Sequence, residues 1–162
     1  MFAENTVRKP VDNVPEAPKT GIRIVESRFG SLEIADDAHI TLPNGLLGFS
    51  EFHDFALAML PNGRHPQFRV LQSLTTEDLA FLVAPLNIDS GAIDDADISD
   101  ACATLGIARE TLTILLIVTV RRDEAGAQVS VNLRAPVFID STRMVGRQYV
   151  LPNNRYSIRH VL

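Results

Sequence analysis

A chain of 162 residues with 46% hydrophobic and 22% charged side chains has the composition of a single globular domain. At that length folding buries roughly 68–70% of the unfolded surface, so no disulfide or metal staple is needed. A lone Cys102, a polar amino terminus and no run near ~18 apolar residues lead us to expect no disulfide scaffold, no secretory signal and no membrane-spanning helix. These features together predict a soluble cytoplasmic protein with no membrane partner. The net charge of −5 is unevenly spread: residues 1–120 carry 17 acids and 8 bases, residues 121–162 carry 3 acids and 7 bases. An acidic body argues against sequence-independent nucleic-acid binding, which needs clustered Lys and Arg to replace counterions.

Residues 1–21 contain Pro10, Pro15 and Pro18 among mixed charges and read as a disordered extension, with a single folded domain over 22–162. Short apolar runs then predict strands at Ile22 to Glu26, around Leu32 and Ile34, and around Ile40 and Leu42 up to Pro43. Asn44-Gly45 marks a turn. Phe55 to Leu60, Phe68 to Leu74 and Leu79 to Ala84 read as further strands, with a turn over Thr75 to Asp78. Ile98, Ala101, Cys102 and Leu105 stand at i, i+3, i+4 and i+7 and predict one helix. Asp97 is its expected N-cap, Asp100 adds charge to the first turn, and Gly106 fits the C-terminal stop. Thr111 to Val120 reads as a strand buried on both faces, and Asp123 to Gly126 as a turn. Ala127, Val129, Val131 and Leu133 alternate with polar residues as a half-buried strand, Pro136 is expected at an edge or bulge, and Val145 to Leu151 follows as a strand. The expected fold is mainly β, a small antiparallel barrel or sandwich with one short helix.

Chemistry leaves few traces. The sequence has no nucleophile elbow, no phosphate-cradling Gly-rich loop and no second cysteine for a redox or zinc pair, so no catalytic residue and no cofactor is predicted. His39, His53, His65 and His160 lack ligand spacing; His53, Asp54 and His65 read more simply as solvated loop residues than as a metal site. Cys102 falls on the apolar helix face and reads as a small core residue. One charged feature has a sharp reading. Asp89, Asp94, Asp95, Asp97 and Asp100 lie close together with no Lys or Arg between Arg69 and Arg109. This is either a solvated loop leading into a capped helix or a docking surface for a basic partner. The spacing lacks the alternating pattern of a calcium loop.

Phe29-Gly30 with Leu32-Glu33-Ile34, the turn Gly45-Leu46-Leu47-Gly48-Phe49, Leu71-Gln72-Ser73 and Asp78-Leu79-Ala80-Phe81 follow one another in a characteristic order. The acidic helix ending in Leu105-Gly106-Ile107, then Ile117 to Val120, Asn132-Leu133-Arg134-Ala135-Pro136, Gly146-Arg147-Gln148 and Tyr156 to His160 continue it. Over Phe29 to Leu162 the chain resembles the flagellar assembly factors called FliW. Two departures stand in the turn: Leu47 replaces the usual Pro, and Ser50 displaces the acid after Phe49 by one position to Glu51. Loss of the proline predicts a looser turn. The resemblance implies a barrel-like binding protein rather than an enzyme. It implies two partners: the RNA-binding translational regulator CsrA, antagonised away from its RNA surface, and flagellin, whose secretion frees the factor again. Two other readings stay open: an RNA-binding regulator using Arg121, Arg122, Arg134, Arg143, Arg147, Arg155 and Arg159, and a small barrel enzyme with an unfamiliar site.

Overall fold

The computed structural model describes residues 21–162; the expected extension before Gly21 lies outside them. In chain order the strands are β1 (Ile22–Ser27), β2 (Gly30–Ala35), β3 (His39–Thr41), β4 (Asp54–Met59), β5 (Arg69–Ser73) and β6 (Ala80–Pro85). After helix α1 (Asp95–Leu105) come β7 (Leu112–Asp123), β8 (Gly126–Val131), β9 (Val137–Asp140), β10 (Val145–Gln148) and β11 (His160–Val161). Single 3₁₀ turns occupy Pro61–Gly63, Ile88–Ser90 and Arg109–Thr111.

Seven of these strands close a ring in the order β3, β4, β5, β6, β7, β9, β10 and back to β3. Every pairing is antiparallel except the last, where β10 meets β3 in parallel through Val145 and Thr41. The closure is tightened by the Thr41 amide donating to the Met144 carbonyl at 2.9 Å. Ring and twist together remove most free strand edges, which an open sheet would present to other chains.

Strand β7 is the joint of the architecture. Leu112 to Leu115 pair with β9, and Val118 to Asp123 pair with β8. One edge of a 12-residue strand thus serves two neighbours in succession. The chain makes the jog between them over residues 132–136. There the Asn132 side-chain oxygen accepts from the amides of Arg134 and Ala135, each at 3.0 Å, and its own amide donates to the Ile117 carbonyl.

Alternation along each strand sorts the apolar residues into an inner and an outer set. Phe55, Leu71, Val83, Leu115, Val137 and Ile139 fill the ring with Ile40, Leu42 and Leu46. The outward set is covered in two places. The β1–β2 hairpin lays Leu32 and Ile34 over Ala56, Ala58, Val70 and Ala80. Helix α1 and the C-terminal segment cover Leu116, Val118, Val131 and Phe138 with Ile98, Ala101, Cys102, Leu151 and Tyr156. Burial on both faces, read over Thr111 to Val120 from the unbroken apolar run, holds from Ile114 to Val118 and fails at Thr119 and Val120, which lie on the exposed outer half of β7.

The strand expectations of the first half hold within a residue or two at each boundary. Strand β9 lacked a sequence signal: its four residues are all buried, so no polar alternation marks it. Pro136 sits not on an edge strand but immediately before β9, a central strand between β7 and β10, and it is buried. A strand start tolerates the missing amide, and the Pro136 carbonyl still accepts from Tyr149 at 2.9 Å. The helix begins earlier than expected. Its N-cap is Asp94, and Asp97 lies inside the first turn.

Leu115 is fully buried inside the ring at the fork, whereas Val120 on the same strand is 45% exposed. Leu115→Ala should lower the free energy of unfolding in urea by about 2–5 kcal/mol. Val120→Ala should change it by no more than about 0.5 kcal/mol.

Candidate functional site

The acidic segment folds into the 3₁₀ turn Ile88–Ser90 and helix α1, anchored by the fully buried Ile93 and Ile98. Asp94 adopts the extended N-cap conformation, yet its carboxylate makes no capping hydrogen bond. Tyr156 ties down the helix start in another way. Its hydroxyl oxygen accepts from the Asp94 amide at 3.0 Å and its O–H donates to the Asp97 carboxylate. The freed Asp94 carboxylate pairs with Arg155, whose guanidinium also lies 3.9 Å from Asp97 and 5.2 Å from the Tyr156 ring centroid. Asp95 pairs with Arg109, which reaches on to the Ser99 hydroxyl at 3.0 Å. Among the described residues Asp89 and Asp100 form no ion pair, and both are exposed. Five clustered acids therefore become a ridge held by two arginines. The charge left to meet a partner sits mainly at its two ends.

Burial, and after it the hydrogen bond to Asp97, pushes the Tyr156 phenol above its ordinary range. Burial likewise raises the Cys102 thiol, against a weaker opposing pull from Arg109. Cys102 is thus a core side chain with little thiolate character at neutral pH. The histidines do not converge: His39 pairs with Asp54 at 2.7 Å, and His53 meets the Ser50 carbonyl at 2.9 Å. Among the described residues no three His, Cys, Asp or Glu side chains are grouped to hold a metal ion.

The second prominent surface is the loop between β3 and β4. Gly45 has φ 61°, and a Cβ there would stand 2.3 Å from the Phe49 carbonyl oxygen, so both conformation and space require glycine. A bridge between Leu46 and Phe49 closes the turn, which buries Leu46 and leaves Leu47 62% exposed at its tip. Phe49 lies edge-on to Phe81 at 5.1 Å and is partly open to solvent. A looser turn is the expectation from the absent proline; what the structure shows at this position is a side-chain brace. The Leu47 amide, a donor that proline lacks, gives its proton to the Gln148 side-chain oxygen at 2.8 Å, and the Gln148 amide donates to the Ala135 carbonyl at 3.0 Å.

A sequence profile described as FliW protein matches residues 23–162, nearly the whole described chain. The chain belongs to the FliW family. It is 32% identical over 139 residues to the flagellar assembly factor FliW of Geotalea uraniireducens, covering 86% of this chain and 83% of that one. The FliW of Natranaerobius thermophilus is 33% identical over 142 residues, covering 87% and 92%. A crystal structure of the flagellar assembly factor FliW superposes with a TM-score of 0.66 at 26% identity, over 86% of this chain and 96% of that one.

The family-motif positions divide by role. Gln72 is fully buried, and its side-chain amide faces the carbonyls of Ser73, Glu77 and Leu79 at 3.0–3.2 Å. The Ser73 hydroxyl accepts from the amides of Thr75 and Thr76. Both residues shape the β5–β6 turn that carries the exposed Asp78. Asn132 and Pro136 build the jog beside β7. Gly45, Gly48, Phe49 and Phe81 shape and seat the β3–β4 loop. Most of the motif thus specifies the frame, and Asp78, Phe49 and the acidic ridge are the members that reach solvent.

Sequence reasoning missed Tyr156 and Arg155 as partners of the ridge, and Gln148 as the brace of the loop. Each acts across a separation of dozens of residues, which no local pattern reports. Several basic residues of the C-terminal portion are taken up within the fold or point apart. Arg121 and Arg122 face opposite sides of β7, Arg155 is taken up by Asp94 and Asp97, Arg143 pairs with Asp140 at 3.8 Å, and Arg134 donates to Asn154. The amide of Arg143, and after it that of Thr142, holds the Asp140 carboxyl below its ordinary range against the opposing effect of burial.

The raised Tyr156 phenol has a defined pH signature. Unfolding returns it to about 10, so its contribution to stability is complete below about pH 10 and declines as pH rises through the folded value. Tyr156→Phe should cost about 0.5–1.5 kcal/mol at neutral pH. The gap between wild type and variant in urea denaturation should stay level up to about pH 10 and narrow over the pH range above it. A constant gap across that range would place the stabilisation elsewhere.

Proposed function

We propose that this chain is a cytoplasmic flagellar assembly factor that works by binding proteins rather than by catalysis. Its partners on this reading are a CsrA-type translational regulator, which it antagonises, and flagellin, which competes for it. The family match over residues 23–162 carries the reading. An RNA-binding protein carries Lys and Arg to replace counterions, and their field steers an acidic surface toward it at long range even where the contact itself lies away from the RNA site. The acidic ridge suits that contact through the unpaired Asp89 and Asp100, with the exposed but Arg109-paired Asp95 between them, while Asp94 and Asp97 chiefly fix the helix start with Arg155 and Tyr156. The exposed Asp78, Leu47 and Phe49 are further contact candidates. Dispersal and pairing of the C-terminal arginines favour this reading over direct RNA binding.

Exposed charges act at long range and are screened beyond about 8 Å at physiological ionic strength. Replacing Asp89, Asp95 and Asp100 together by Asn should slow association with the regulator at low salt and leave dissociation little changed. Each exposed pair contributes only ~0.2–1 kcal/mol, so single substitutions should be nearly silent. Stopped-flow or surface-plasmon kinetics at two ionic strengths checks this, and an unchanged association rate would reduce the ridge to a solvated helix start.

Loss of the gene should lower flagellin output and motility, and a second deletion removing the regulator should restore flagellin. Quantitative immunoblots of the single and double mutants decide it. Flagellin that stays low in the double mutant would exclude antagonism and leave direct handling of flagellin as the role.

A further inference from the structure

The two covers over the outer face of the ring do not meet. Between the tip of the β1–β2 hairpin at Phe29 and the C-terminal Leu162 runs an apolar groove of about 650 Å³. Leu82, Val120, Val129 and Phe68 line it, with His65 and Gln67 as its uncharged polar members. Val120 and Val129 are a directly opposed pair on β7 and β8; Val129 packs on the margin of the second core, and Val120 lies outside it, 45% exposed. A second opening shares Phe29, Leu82 and Val120 and adds Arg28, whose guanidinium stands 4.4 Å above the Phe29 ring. Arg122 lies on the same rim, and among the described residues no Asp or Glu lines either opening. Neither arginine forms an ion pair among the described residues.

The fold shows how this sheet face is covered a few ångströms away. Helix α1 sets Ile98, Ala101, Cys102 and Leu105 against Leu116 and Val118, and its acids Asp95 and Asp97 meet Arg109 and Arg155 at the margins. The groove repeats that situation with the helix missing: the same strands, an apolar floor and arginines at the rim. We propose that the groove is a docking site for an acidic amphipathic helix of a partner protein, lying beside α1 and completing the outer layer. Apolar residues at i, i+4 and i+7 would fill the floor, and carboxylates flanking them would pair with Arg28 and Arg122. The inference goes beyond the partner reading above and does not depend on it.

The test uses the full-length chain with methyl-labelled Leu and Val and a synthetic amphipathic helix of about five turns. Leu residues at i, i+4 and i+7 carry flanking Glu in one peptide and flanking Lys in its twin. The Glu peptide should shift the methyl signals of Leu82, Val120 and Val129 and bind at least about tenfold tighter than the Lys twin. Val120→Glu and Arg122→Glu, both at exposed positions, should each weaken the Glu peptide about tenfold and leave the remaining spectrum intact. Equal binding of the two peptides, or shifts confined to other residues, would overturn the proposal. So would self-association abolished by Val120→Glu, which makes a second copy the occupant. Nuclear Overhauser contacts from these methyls to residues before Gly21 would overturn it too, by giving the groove to the chain's own amino-terminal segment. None of these outcomes bears on whether the regulator or flagellin is bound elsewhere.

Discussion

The fork in β7 is the constraint from which the rest of the molecule follows. A strand whose edge passes from β9 to β8 belongs to the closed ring at one end and to a projecting sheet at the other. Its middle must be apolar on both faces, because Leu115 looks into the ring while Ile114, Leu116 and Val118 look outward into a second core. The jog beside it needs a loop that satisfies its own amides, which Asn132 does, and a residue that can begin a strand without donating, which Pro136 is. The C-terminal segment then straps that loop through bonds from Leu133 to Ser157, from Leu151 to Arg134 and from Tyr149 to Pro136. The Asn-Leu-Arg-Ala-Pro motif is thereby a structural specification, and its presence marks the fold before it marks any contact.

Helix α1 shows how the second core constrains the surface. Its buried face is set by packing on β7, but its first turn is set by Tyr156 and Arg155 from the strap. The same two residues tie down the acidic ridge and the end of the chain. A charge change in the ridge and a packing change in the strap are consequently not independent, since Asp94, Asp97, Arg155 and Tyr156 share one network in which energies do not add.

Much of this was legible in the residues themselves. Glu33 between Leu32 and Ile34, or the alternation from Ala127 to Leu133, announces strands because a half-buried surface forces a period of two. Strand β9 was hidden by the opposite circumstance: Val137 to Asp140 is buried on every side, so nothing alternates. The helix face was plain, but its start was ambiguous, since Asp94, Asp95 and Asp97 all suit an N-terminus. Only the distant Tyr156 selects among them. The five acids were visible as a cluster, while their partial neutralisation was not, because Arg109 and Arg155 reach the cluster only through the fold. The groove had no local signature at all, being a gap between two covers drawn from opposite ends of the chain.

The bond from Leu47 to Gln148 alters the order in which the molecule can become itself. A proline in that turn fixes its backbone through covalent geometry, available as soon as the residue has been synthesised. Here the restraint is a side chain 101 positions further on. The bonds from Gly45 to Leu42 and from Phe49 to Leu46 are local and close the turn from within, whereas the brace at its tip exists only once β10 is part of the ring.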